Sequence, residues 1–82
     1  MEKSKPEKKF VSGAIVATIW KNPAKNGGSF RTVQLQRRYT DTQGRWQSTD
    51  SLRPNDLPKA TLLLNKVFEF VSLETENVSE AS

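Results

Sequence analysis

Residues 51–71, SLRPNDLPKATLLLNKVFEFV, decide how this chain folds. The stretch opens as the end of an extended segment, meets Pro54, and turns strongly apolar by Leu62. Pro54 has no N–H to give to a strand ladder, so a sheet ends there. Asn55 or Asp56 supplies an N-cap, and Pro58 falls in the first helical turn, where a missing N–H costs nothing. The helix then runs to about Val71 or Leu73. At spacings of three and four, Leu57, Ala60, Leu64, Val67, Phe68 and Val71 form its expected inner stripe. Leu63, Val67 and Phe70 make a second strip beside the first, and Leu62 lies further round, so the apolar arc is too wide for one contact. The simplest cover is the same helix from another copy. The sequence therefore predicts a two-fold homodimer with Leu63, Val67 and Phe70 at its interface.

Upstream of the helix the pattern is extended. Phe10–Lys21 (FVSGAIVATIWK) is rich in β-branched residues and lacks helical spacing, so it reads as a strand. Val11, Ile15, Ala17 and Ile19 are expected on one face and Ala14, Val16, Thr18 and Trp20 on the other, with Gly13 at a bulge or bend. Asn22–Ser29 (NPAKNGGS) is dense in turn formers. Phe30–Tyr39 alternates cleanly, with Val33, Leu35 and Tyr39 on one side and Phe30, Thr32, Gln34, Gln36 and Arg38 on the other. Asp41 and Gly44 frame a hairpin loop, and Arg45–Leu52 returns as a further strand. Pairing Tyr39 with Trp46 predicts Arg37 opposite Ser48 and Val33 opposite Leu52. The fold class is α+β: a curved antiparallel sheet of three to four strands, then one C-terminal helix.

Composition bounds the chemistry. Of 82 residues only 34% are apolar, and there is neither cysteine nor histidine. Disulfides and the usual zinc sites are therefore excluded, and the commonest general base and best nucleophile are missing. Gly27-Gly28 is followed by a strand pattern, so it is no phosphate-binding loop. A non-enzyme without cofactor or metal is expected. Residues 1–9 read as a disordered basic arm, 10–73 as the single domain, and 74–82 as a disordered acidic tail. A domain this small, without disulfides or metal, commonly relies on self-association. No stretch resembles a signal peptide or membrane span, which predicts a cytoplasmic protein.

The net charge of +4 is unevenly spread. Residues 8–53 hold nine lysines and arginines against two aspartates, whereas from Ala60 onward one lysine faces four glutamates. A cationic sheet of this kind suits a polyanion, although solubility alone also uses such charge.

Several residues together resemble the positive cofactor four family of transcriptional coactivators and their bacterial relatives. An extended run ends in Arg38-Tyr39, and Asp41 and Gly44 follow in that family's aromatic-x-Asp-x-x-Gly pattern. Ser51-Leu52-Arg53-Pro54 with Leu57 is similar to its Ser-Leu-x-Pro step into the helix. The likeness covers about a third of the chain. It departs at the long loop Asn22–Ser29 and at Gln47–Asp50, which is polar and acidic where the family carries a proline and basic residues.

The resemblance implies a helix-mediated homodimer that binds single-stranded DNA or melted duplex with little sequence preference, in transcription or replication and at the nucleoid in a prokaryote; RNA binding would use the same surface. Such binding needs cations that track phosphates and rings on which bases stack. Candidate contacts are Lys9, Lys21, Arg31, Arg37, Arg38 and Arg45, with the rings of Trp20, Phe30, Tyr39 and Trp46. The alternative is a dimeric protein-interaction module that binds no nucleic acid. Each cation has a solvated surface role as its plain alternative, and each ring a place in the core.

Overall fold

The computed structural model describes residues 3–73, so the acidic tail expected at 74–82 lies outside the described residues. Four strands, β1 (Lys5–Ser12), β2 (Ile15–Pro23), β3 (Ser29–Thr40) and β4 (Trp46–Thr49), make one antiparallel sheet in that spatial order. A 3-10 turn at Pro54–Asp56 leads into the helix α1 (Leu57–Ser72). The α+β class and the order of elements are as expected from the sequence. No helix among the described residues is long and apolar enough to cross a membrane.

The N-terminal half differs from expectation in two ways. Residues 5–9, read as part of a disordered arm, belong to β1 and pair with β2. Their lysines and proline give no apolar signal, because this edge strand is held by its backbone ladder and not by burial. Pro6 is tolerated at an edge, and the register shifts between Pro6 and Lys8, leaving Glu7 as a bulge. The run Phe10–Lys21, expected to be one strand, folds back on itself at Gly13-Ala14. Ser12 pairs with Ile15, and Gly13 has φ +60° while Ala14 does not enter the positive region. A two-residue hairpin of type II′ needs this arrangement. Val11 consequently opposes Val16 and lies on the opposite face from Ile15, contrary to the simple odd–even count.

One face of β2 supplies the floor of the core. Ile15, Ala17 and Ile19 meet Ala60, Leu63 and Val67 of α1, with Phe10, Leu35, Leu52 and Val71 around them. The helix lies over β1 and β2. Its phase differs from the predicted stripe. Leu63 and Val67 are 3% and 4% exposed within the single chain, so they are core residues and not the interface residues expected of them. Phe70, the third expected interface residue, packs edge-on to Phe10 at 6.2 Å, with the Arg31 guanidinium 5.7 Å above its ring. Leu57 and Phe68, predicted to point inward, are 53% and 68% exposed, and Leu64 is exposed with them. Ala60 decides the phase, because its small side chain leaves room for the helix to approach Ile15 and Ile19 closely.

The β3–β4 hairpin is slipped by one residue from the expected register. Thr40 opposes Trp46, Tyr39 opposes Gln47, and Arg37 opposes Thr49. The cause is a tight turn: Gly44 N–H donates to Asp41 O, Gly44 takes φ +80°, and Asp41 N–H donates to Arg45 O. This type I turn with a bulged glycine uses one more residue than the predicted loop. A one-residue slip turns every side chain of the strand over. Tyr39 and Trp46 therefore occupy opposite faces, and Leu52 leaves the ladder for the core. β4 covers only residues 37–40 of β3. Arg38 N–H donates toward β2, to Ala14 O at 2.8 Å. Alternation then turns the backbone groups of Arg31, Val33 and Leu35 to the other side, where β4 no longer runs.

Candidate nucleic-acid interface

Directly opposed residues of an antiparallel sheet share a face, so the strand registers assign every side chain. The face away from α1 carries Lys9, Val11, Val16, Thr18, Trp20, Asn22, Phe30, Thr32, Gln34, Gln36, Arg38, Thr40, Trp46 and Ser48. No carboxylate occurs among these residues. Phe30 is 52% and Trp46 73% exposed, and Trp20 is half-buried. The Trp20 ring is fixed by its Nε1–H donating to Gln34 Oε1 at 3.2 Å. Asn22 Nδ2 donates to Thr32 Oγ1 at 3.0 Å beside it. Phe30 stands diagonal to Trp20, within ring-to-ring reach. Trp46 lies at the far end, about 27 Å along β3 at the usual strand rise.

The ten candidates divide between two faces and a loop. Lys9, Trp20, Phe30, Arg38 and Trp46 share the open face. Lys21, Arg31, Arg37 and Tyr39 point to the helix side, by the same registers. Arg45 lies in the hairpin loop. Three of these cations already have carboxylate partners. Arg31 holds Glu7 through two hydrogen bonds of 2.9 Å, Arg45 lies 3.6 Å from Asp41, and Arg37 lies 3.6 Å from Asp56. Arg31 thus completes a bidentate clamp across the β1 bulge. That clamp lowers the Glu7 carboxyl below its ordinary value and raises the Arg31 guanidinium above its own. Lys9 and Arg38 form no ion pair among the described residues. The charge count alone gave no sign of this division, because pairing across strands is set by register and bulges.

Arg37 is a special case. Its Nε is buried, and at 3.6 Å Asp56 Oδ2 attracts it but is too distant for a hydrogen bond. Its guanidinium sits 5.4 Å over the Tyr39 ring. Asp56 uses Oδ2 to accept from the backbone N–H of Arg53 at 2.8 Å, fixing the turn into α1. Arg53, absent from the predicted contacts, lines a cleft with Gly13, Ala14, Arg37, Arg38, Tyr39, Thr40 and Trp46. The sequence signal for it was its place immediately before Pro54, where the chain must turn back under the sheet.

No protein-family model, curated protein or solved structure matches the chain.

Proposed function

We propose that the protein is a homodimer that binds single-stranded nucleic acid with little sequence preference on the open face of its sheet. One observation carries this reading: three aromatic rings and two cations, Lys9 and Arg38, share the sheet face away from α1, where the paired strand positions among the described residues include no carboxylate. Rings without hydrogen-bond readout stack on any base, and cations without local partners are available to phosphates. Gln34, Gln36 and Thr32 between them offer donors to the backbone. The likeness to the coactivator family points the same way, toward a role in transcription or replication, in the cytoplasm and at the nucleoid of a prokaryote. DNA and RNA single strands both fit this chemistry.

Self-association uses a different set of residues from Leu63, Val67 and Phe70. Phe70 and Lys59 mark the flank of α1 on the β1 side, next to Phe10 and Gly13. Leu57, Leu64 and Phe68 lie on the opposite flank, toward β3. There the helix-side residues Val33 and Tyr39 are also exposed. Together they form two walls of an apolar step that accepts the helix of a second copy, while α1 returns the contact across the two-fold axis. The two open faces then point outward.

A fluorescence titration with labelled single-stranded and duplex oligonucleotides at two salt concentrations tests the reading. Single strands should bind more tightly, with log affinity falling against log salt by about 0.7 per phosphate neutralised. Absence of binding at low salt ends the proposal. The uncovered rim of β3 favours a second reading, a protein-interaction module that takes a partner's strand. Arg38→Glu separates the two: nucleic-acid binding is lost, whereas strand capture survives.

A further inference from the structure

We infer that the arginine-lined cleft at the β1–β2 turn binds the terminal phosphomonoester of a nucleic-acid strand. This rests on the proposed function and adds an end-recognition site to it. The cleft, of about 520 Å³, lies where the open face stops. Arg38 and Trp46 enter it from that face, Arg37 and Tyr39 from the helix side, and Arg53 from the turn into α1. Gly13 and Ala14 form its lip.

Charge balance selects the ligand. Three arginines line the cleft, and Asp56 is the one carboxylate within salt-bridge distance of any of them among the described residues. Two positive charges are left over. An internal phosphodiester brings a single negative charge, whereas a terminal phosphate brings about −1.5 to −2 at neutral pH and an additional strong acceptor oxygen. The fork of Arg37 is already oriented by the Tyr39 ring at 5.4 Å, and its buried Nε has no hydrogen-bond partner among the described residues. Arg37 lines the cleft while its enclosed Nε stays out of a ligand's reach, so a phosphate there meets the charge of the guanidinium and not that nitrogen. The exposed Trp46 ring at the rim then receives the terminal base. A strand lying on the open face would thus finish in this cleft.

The test compares oligonucleotides of one sequence ending in a 5′-phosphate, a 3′-phosphate or hydroxyls alone, titrated against the full chain by fluorescence anisotropy. One phosphorylated end should bind about tenfold more tightly than the hydroxyl form, the increment of a charge-assisted contact. Which end does so reports strand polarity. Arg53→Gln, with folding checked by its thermal melt, should bring the phosphorylated and hydroxyl forms to parity. Equal affinity of the wild-type chain for all three overturns the end site and leaves the proposed function standing. Failure to bind any of them overturns both.

Discussion

Asp41 organises more of the molecule than its half-buried place in a loop suggests. One oxygen accepts the backbone N–H groups of Gln43 and Arg45 at 2.9 Å, and the other accepts Gln47 Nε2 at 3.1 Å. The Arg45 amide first, and the Gln47 side chain second, hold its carboxyl below the usual aspartate range. A lowered folded-state value means the stabilisation is complete above the unfolded value of about 4 and fades as pH falls through the folded one. Thermal stability should therefore drop between neutral pH and pH 3. Asp41→Asn, which keeps an acceptor but no charge, should flatten part of that drop in melts followed across pH. Asp41→Ala should lower the denaturant midpoint of unfolding by removing all three of these bonds. Trp46 shows the opposite behaviour, because its ring packs little and faces solvent. Trp46→Ala should leave the melt nearly unchanged and weaken single-strand binding by about 1–3 kcal/mol, measured by titration.

At the level of elements, α1 has one face inside the subunit and a flank outside it. Leu63→Ala should cost about 2–5 kcal/mol, as a cavity against Ile15 and Ile19, whereas the neighbouring Leu64→Ala should barely alter the unfolding of an isolated subunit. Denaturant titrations of the two variants at low protein concentration give the contrast directly. This phase was not legible in the sequence. Leu62, Leu63 and Leu64 are all apolar and span more than half the helix circumference, so periodicity accepts several stripes equally well. The helix itself was legible, since Pro54 and Pro58 mark its start by backbone chemistry that tertiary contacts do not override; Asp56 holds the N-cap position, but its side chain makes no cap hydrogen bond to α1 and accepts from the Arg53 N–H instead. β3 was equally plain from its alternation. β1 was hidden because KPEKK has neither apolar spacing nor β-branching; its order comes from pairing with β2. The Gly13-Ala14 turn was hidden because apolar residues continue on both sides of it. Of the candidate interface, Phe30 and Arg38 were correctly grouped on one face from strand parity. Tyr39 and Trp46 were wrongly joined, because a bulged glycine adds a residue that parity does not count.

Across the whole molecule, the two faces of the sheet divide the work. The helix side holds the core, the ion pairs of Arg31 and Arg37, and the exposed Val33, Leu57, Leu64 and Phe68. The other side holds rings, amides and cations with no acid among them. A dimer built on the first side presents two binding faces, so strands long enough to reach both bind with an effective-concentration advantage. Phe68→Glu should sediment as a folded single subunit with unchanged helix content. It should bind short oligonucleotides as the wild type does, and lose a factor of about 100 or more on long ones. A wild-type chain that sediments as one subunit would remove this advantage.

The rim of β3 beyond β4 has a consequence for handling and for evolution. Other margins of the sheet are blunted, β1 by Pro6, the Glu7 bulge and its lysines, and β4 by its four-residue length. At Val33 the margin is bare, and Arg31 is drawn away toward Glu7. Mutual repulsion of the cationic surfaces is what keeps such margins apart in dilute buffer. Concentrated salt screens that repulsion, so a high-salt purification step should be where fibrous precipitate forms. Light scattering and a fibril-binding dye, followed against salt concentration, check this outcome.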